Sequence, residues 1–134
     1  MKAMPYVGKH AMLDLRWEPD LNAVCFANNS SILMNAMERA VLDEGATILA
    51  RSVNDFPGEN SDFGGFTGML VLSESHASVH TWPEYSLATL DVYMCGSCDA
   101  FECIQKIVNY LGEAGYAPTH KFQTKIYRGF HHAI

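Results

Sequence analysis

The chain has 134 residues, enough for a single domain that buries roughly two thirds of its unfolded surface. Hydrophobic residues make up 49% and charged ones 18%, which places it among globular chains rather than disordered ones. A formal net charge of −6 without any basic cluster argues against a nucleic-acid or anionic-membrane surface.

The first ten residues have no long apolar core, and no run approaches the length of a membrane span. A cytosolic protein is therefore expected, with Cys25, Cys95, Cys98 and Cys103 as thiols. Tyr6–Trp17 alternates loosely and predicts a first strand, with Lys9 and Asp14 among its polar positions. Glu18–Asn29, with Pro19, Asp20 and an Asn pair, reads as a connection. Ser30 or Ser31 caps a helix whose stripe is Leu33, Met34, Met37 and Val41, and Gly45 ends it. Ala46–Val53 predicts a second strand, followed by a long loop over residues 54–65 rich in Pro, Gly, Asn and acids.

Phe66–Leu72 and Ala77–Thr81 read as strands joined through Ser73, Glu74, Ser75 and His76, and Leu87–Cys95 is the strongest strand signal in the chain. Asp99 caps a second amphipathic helix carried by Phe101, Ile104, Ile107, Val108 and Leu111, which closes near Gly112–Gly115. His120–Arg128 alternates as a last strand. Adjacent strands with only two helices predict an α+β fold, a two-layer sandwich with a mainly antiparallel sheet and both helices packed on one face. The whole chain, 1–134, reads as one domain.

The chemistry concentrates in residues 73–84. A hydroxyl follows a carboxylate, two histidines follow, and Trp82-Pro83-Glu84 closes the segment; Cys95 comes eleven residues later. Ser, His and Cys can supply a nucleophile, a base and a proton donor. Each has a plainer role. Ser in a turn usually makes turn hydrogen bonds, His76 serves to brace the turn, and Cys98 and Cys103 suit packing at or on a helix. Cys95-Gly96-Ser97-Cys98 matches C-x-x-C, but a zinc ribbon needs a second such pair and none exists.

Ser73-Glu74-Ser75-His76, His80-Thr81-Trp82-Pro83-Glu84 and Asp91-Val92-Tyr93-Met94-Cys95-Gly96 together resemble the prokaryotic S-adenosylmethionine decarboxylase family. The likeness is closest over residues 66–96 and weaker at Gly8-Lys9-His10, around Gly45 and at Arg128-Gly129. The resemblance implies a proenzyme that cleaves itself between Glu74 and Ser75 into 1–74 and 75–134. The Ser75 hydroxyl would attack the preceding carbonyl to form an ester, whose elimination leaves a dehydroalanine that tautomerises and hydrolyses to a pyruvoyl cap, the covalent cofactor. His80 would assist elimination, and Thr67 would help processing. The cap would form a Schiff base with the substrate amine, and Cys95 would return a proton to carbon after decarboxylation. Trp82 and Glu84 would hold the adenosyl group. The family also implies a homodimer with active sites shared across the interface, and a mechanism that requires no metal.

The loop at 54–65 departs from the family pattern. Members of this short type usually carry an adenine-stacking aromatic where ungapped counting from Thr67-Gly68 puts Ser61. Phe63 lies two positions off and Phe56 further back, so Phe63 or Phe66 takes over the stacking, or the adenine site is gone. Asp55, Glu59 and Asp62 could instead pair with a distal amine or guanidinium, as in ornithine or arginine decarboxylation. S-adenosylmethionine is the leading substrate, with the basic amino acids behind it. Two readings of other kinds remain: a metal-binding module of His76, His80, Cys95 and Cys98, and a regulatory subunit that never processes.

Overall fold

Six strands and two helices are formed within the described residues, 7–18, 30–57 and 64–129, of this computed structural model. They run β1 (Gly8–Arg16), α1 (Ser30–Asp43), β2 (Ile48–Asp55), β3 (Phe66–Leu72), β4 (Ser75–Trp82), β5 (Leu87–Cys95), α2 (Ala100–Glu113) and β6 (His120–Arg128). A single 3₁₀ turn, Pro83–Tyr85, joins β4 to β5. The sheet order is β2-β3-β4-β5-β1-β6, and every neighbouring pair is antiparallel. This is the expected α+β sandwich, with a sheet antiparallel throughout.

Alternation within the strands decides which face is covered. Ala11, Leu13 and Leu15 of β1, Leu70 and Leu72 of β3, Ala77 and Val79 of β4, and Leu90, Val92 and Met94 of β5 are buried beneath the helices. The helices answer with Leu33, Met34, Met37 and Val41 from α1 and Ile104, Ile107 and Leu111 from α2, all fully buried. Gly68 permits α1 to lie this close, since a Cβ there would sit 2.4 Å from the Met34 sulfur. The opposite face carries His10, Thr67, Met69, Val71, His76, His80, Trp82, Asp91, Tyr93, Cys95, Ile126 and Arg128, and no described element covers it.

Both helices end as their glycines predict. Gly45 takes φ 89° while the Ala46 N–H reaches the Val41 carbonyl at 3.1 Å, and Gly115 takes φ 90° while Tyr116 N–H reaches Leu111 at 2.8 Å. At the start of α2 the Asp99 carboxylate accepts from the Phe101 N–H at 2.8 Å and the Glu102 N–H at 3.4 Å, and also from Lys9 Nζ at 2.9 Å. Glu44, just past the end of α1, accepts from the Asp99 N–H at 3.2 Å and pairs with Lys106. One carboxylate thus ties the end of α1 to the beginning of α2.

Two strand boundaries differ from the sequence pattern. The second strand is Ile48–Asp55 rather than 46–53, because Asn54 and Asp55 pair with Thr67 and Phe66. The fourth begins at Ser75 rather than Ala77, because Ser75 pairs with Leu72 and His76 with Val71. Local turn propensity loses to cross-strand pairing in both cases.

Burial pushes the Asp99 carboxyl up, but Lys9 and the two N–H groups outweigh it and hold it below the usual carboxylate range. A depressed carboxyl stabilises the fold above the unfolded value of about 3.9 and loses that contribution as pH falls through its folded value. Asp99→Ala should therefore lower stability by about 1 kcal/mol at pH 7. The deficit relative to wild type should shrink in acid, as read from paired urea melts at neutral and acidic pH.

Candidate active site

The turn between β3 and β4 contains only Ser73 and Glu74, since Leu72 and Ser75 already face each other. Two-residue hairpins favour turns with positive φ at both central residues or at the first. Here Ser73 is not in that region and Glu74 is, at φ 62°. That is the second-position pattern, which glycine or asparagine usually fills and which matches the strand twist poorly. A glutamate held there costs about 1–2 kcal/mol. The strain sits on the residue whose carbonyl begins the 74–75 peptide bond.

Cys95 reaches this bond from the neighbouring strand. The β4–β5 register pairs His76 with Tyr93, which brings Cys95 level with Glu74. The Cys95 N–H donates to Ser75 Oγ at 3.3 Å, and the Cys95 thiol donates to the Glu74 carbonyl oxygen at 3.2 Å. One residue therefore holds both the hydroxyl and the carbonyl on which it would act.

An open cavity of about 410 Å³ lies beside the bond, lined by Glu74, Ser75, His76, Tyr93, Arg128 and Gly129. The His76 ring rests against Tyr93 at 5.8 Å, and the Arg128 guanidinium lies over the same ring at 5.4 Å. A hydrogen bond with Cys95, reinforced by burial, raises the Tyr93 hydroxyl above its ordinary range, against an opposing pull from Arg128. On the far side of Tyr93, His10 meets its edge at 6.1 Å and pairs with Asp91 at 3.0 Å. The other two described cysteines are unsuited to act as thiolates. Burial pushes Cys103 up to about 12, and burial followed by Glu44 and Cys95 raises Cys98.

His80 is not in this cluster. It lies five residues along β4 from Ser75, about 16 Å at the usual strand rise. There its Nδ1 pairs with Thr67 Oγ1 at 3.0 Å, directly across the β3–β4 ladder. Trp82 follows on the same face, with its ring 6.2 Å from that of His80, and Glu84 stands exposed in the 3₁₀ turn. The described residues thus hold two groups: Ser75, Cys95, Tyr93 and Arg128 at one end of β4, and Thr67, His80, Trp82 and Glu84 at the other.

Two sequence readings change at this point, Phe66 as a stacking residue and the His/Cys metal module, and others fall outside the described residues. Phe66 is 1% exposed, packed under the helices, and cannot stack on a ligand. Phe63 and Asp62, with Ser61 and Glu59, lie outside the described residues. Among the described residues no group of three or more His, Cys, Asp or Glu side chains could hold a metal. His76 and His80, four strand residues apart, stand about 13 Å from each other, too far for one ion. Tyr93 and Arg128 had no role from the sequence; the i, i+2 spacing of Tyr93 from Cys95 was the available signal.

Comparisons with known proteins agree on the family. Residues 20–123 match the S-adenosylmethionine decarboxylase family. An S-adenosylmethionine decarboxylase proenzyme of Methanococcus aeolicus is 36% identical over 93 residues, covering 69% of this chain and 72% of that protein. An arginine decarboxylase proenzyme of Aeropyrum pernix is 33% identical over 111 residues, covering 82% and 79%. The crystal structure of the adenosylmethionine decarboxylase from Aquifex aeolicus superposes with a TM-score of 0.70 at 28% identity, covering 92% of each chain. The chain belongs to the S-adenosylmethionine decarboxylase family, and it is a carboxy-lyase.

The strain at Glu74 is directly measurable. In a Ser75→Ala background, which removes the hydroxyl beside the bond, Glu74→Gly should raise stability by about 1 kcal/mol by urea unfolding. An unchanged or lowered midpoint would show that the left-handed turn stores no strain.

Proposed function

We propose that this chain cleaves its own Glu74–Ser75 bond and that the new Ser75 end becomes the pyruvoyl cofactor of a decarboxylase of polyamine biosynthesis. S-adenosylmethionine is the substrate favoured. The observation that carries the reading is the hold of Cys95 on both sides of the strained bond. The thiol on the Glu74 carbonyl favours charge growth on that oxygen as Ser75 Oγ attacks. The N–H on Oγ keeps the hydroxyl at the carbonyl carbon. A pyruvoyl group fits this position, since Ser75 opens onto the cavity and Cys95 already lies against it. When formed, it would supply the electron sink for loss of carbon dioxide. Cys95 then holds the proton that must return to the substrate carbon.

The two groups on β4 support a homodimer. Ser75 needs a base to remove its α-proton, and the His80 of its own chain is about 16 Å away. A second copy packed against the uncovered sheet face, with its strands reversed, would bring its Thr67–His80 pair to this Ser75. The face carries Met69, Val71, Trp82, Phe122 and Ile126 partly exposed, apolar surface that such packing would bury. In the tautomer whose Nδ1–H donates to Thr67 Oγ1, His80 Nε2 is the nitrogen that would take the proton. Trp82 and Glu84 would arrive with it, placing a ring and a carboxylate on the side of the substrate away from the reacting carbon.

A second substrate reading has its own support. A relative named for arginine decarboxylation covers more of this chain than the first relative named for S-adenosylmethionine. The buried position of Phe66 also leaves one fewer aromatic for an adenine.

Three measurements follow. Denaturing mass spectrometry of wild-type protein should show fragments 1–74 and 75–134, and Cys95→Ala should slow their appearance about tenfold or more. Co-expressed Ser75→Ala and His80→Ala chains should restore cleavage of the His80→Ala chain, although neither is cut alone. Absence of rescue in a confirmed mixed dimer would place His80 in cis or outside the reaction. Carbon dioxide release should be fastest from S-adenosylmethionine when compared with L-ornithine and L-arginine; a preference for arginine would transfer the assignment to the second reading.

A further inference from the structure

We propose that Arg128 is the anchor for the substrate's α-carboxylate, an assignment that rests on the decarboxylase reading above. Every substrate considered carries its α-amine and α-carboxylate on one carbon. If the amine is to meet the end made from Ser75, the carboxylate must lie within a few ångströms of it, in the same cavity. The six lining residues are Glu74, Ser75, His76, Tyr93, Arg128 and Gly129. Arg128 alone among them carries a permanent positive charge.

The local geometry leaves that charge available and directs it. Among the described residues Arg128 makes no ion pair, a state it shares with Arg16, Lys121 and Lys125, but of these four it alone lines this cavity. The guanidinium lies instead over the Tyr93 ring at 5.4 Å. A cation–π contact with the ring leaves guanidinium N–H groups free to donate. Gly8 makes the reach possible. It pairs with Cys95 on one side and with Arg128 on the other, so the three backbones lie level across β5, β1 and β6. A Cβ at Gly8 would stand 2.9 Å from Tyr93 Cε1 and 2.7 Å from the Met94 carbonyl. With no side chain between them, the Arg128 side chain crosses β1 and meets Tyr93, the neighbour of Cys95 on the same face.

A cation at this cavity that forms no ion pair among the described residues suits an anionic ligand. A bidentate guanidinium also sets the torsion of the bond from the α-carbon to the carboxylate. That bond must stand across the plane of the electron sink if it is to break. Carbon dioxide leaves uncharged, so the pair dissolves as the bond breaks and the product amine keeps no hold on Arg128. The anchor therefore separates substrate from product by affinity.

The test uses cleaved protein reduced with borohydride, which leaves no ketone for the amine and isolates non-covalent binding. Dissociation constants are measured for S-adenosylmethionine, L-arginine and L-ornithine and for their decarboxylated amines. Wild type should bind its preferred acid about tenfold or more tightly than the matching amine. Arg128→Gln should erase the difference by weakening only the acid, and Arg128→Lys should keep part of it. In unreduced enzyme Arg128→Gln should raise KM about tenfold and also lower kcat, because the torsion of the breaking bond is no longer held. An unchanged urea-unfolding midpoint and far-UV circular dichroism spectrum for Arg128→Gln serve as the check on folding. An acid-to-amine ratio unchanged in Arg128→Gln would overturn the assignment. So would lost self-cleavage in Arg128→Gln that Arg128→Lys restores, because the cation would then belong to processing. If wild type neither cleaves nor binds any of the acids, the decarboxylase reading itself falls; an intact wild-type preference that survives Arg128→Gln removes the anchor alone.

Discussion

The register between β4 and β5 governs everything at the reactive end of this molecule. His76 opposite Tyr93 puts Cys95 level with Glu74, and from there its N–H and thiol reach both sides of the 74–75 bond. A slip of one residue would reverse the faces of β5. Cys95 would turn toward the helices, and Met94 would leave the core for the open face. The slip is resisted by the core itself, because Ala88, Leu90, Val92 and Met94 are all buried on the helix side. Apolar burial unrelated to the chemistry thus fixes a contact on which the chemistry relies.

The same pairing explains how the strain at Glu74 persists. A two-residue turn closes β3 onto β4 from Leu72–Ser75 onward, leaving no spare residue to relax it. The Ser73 N–H is further tied to the Thr47 carbonyl at 3.0 Å, just ahead of β2. A conformation costing about 1–2 kcal/mol is small beside the ladder that imposes it. The consequence for reactivity is local: the strained residue contributes the carbonyl, and the adjacent strand supplies a donor to that carbonyl.

Most of the fold was legible in the sequence, because it is written in alternation and in caps. The apolar stripe of each helix, Gly45, Asp99 and the Leu87–Cys95 strand behave as their patterns require. What the sequence obscured was the extent of β4. Ser75 and His76 have the composition of a turn, yet they pair with Leu72 and Val71, and only the partner strand decides that. The reactive residues looked like one constellation because they are close in sequence. A strand advances about 3.3 Å per residue, so closeness in sequence separates Ser75 from His80 in space, while Cys95, twenty residues away, becomes a neighbour. Phe66 looked available for stacking until alternation was anchored to a face, which put it on the buried, helix-covered side of the sheet. Tyr93 and Arg128 come together only through the order β5-β1-β6, which no local pattern encodes.

The separation of the two groups along β4 bears on how substrate choice and chemistry relate within this family. Ser75 and Cys95 would act on the α-carbon alone, and every α-amino acid presents the same groups there. Nothing in their geometry can prefer an adenosyl sulfonium to a guanidinium. Discrimination must come from residues that meet the rest of the substrate, and in the proposed dimer those are Trp82 and Glu84 of the facing copy. A ring suits stacking on an adenine, and an exposed carboxylate suits either ribose hydroxyls or a distal cation. The two relatives named for different substrates, each about one third identical to this chain, accord with that division. A change of substrate then requires changes at the recognition end only, while the strained turn, the Cys95 contacts and the β4–β5 register remain as they are.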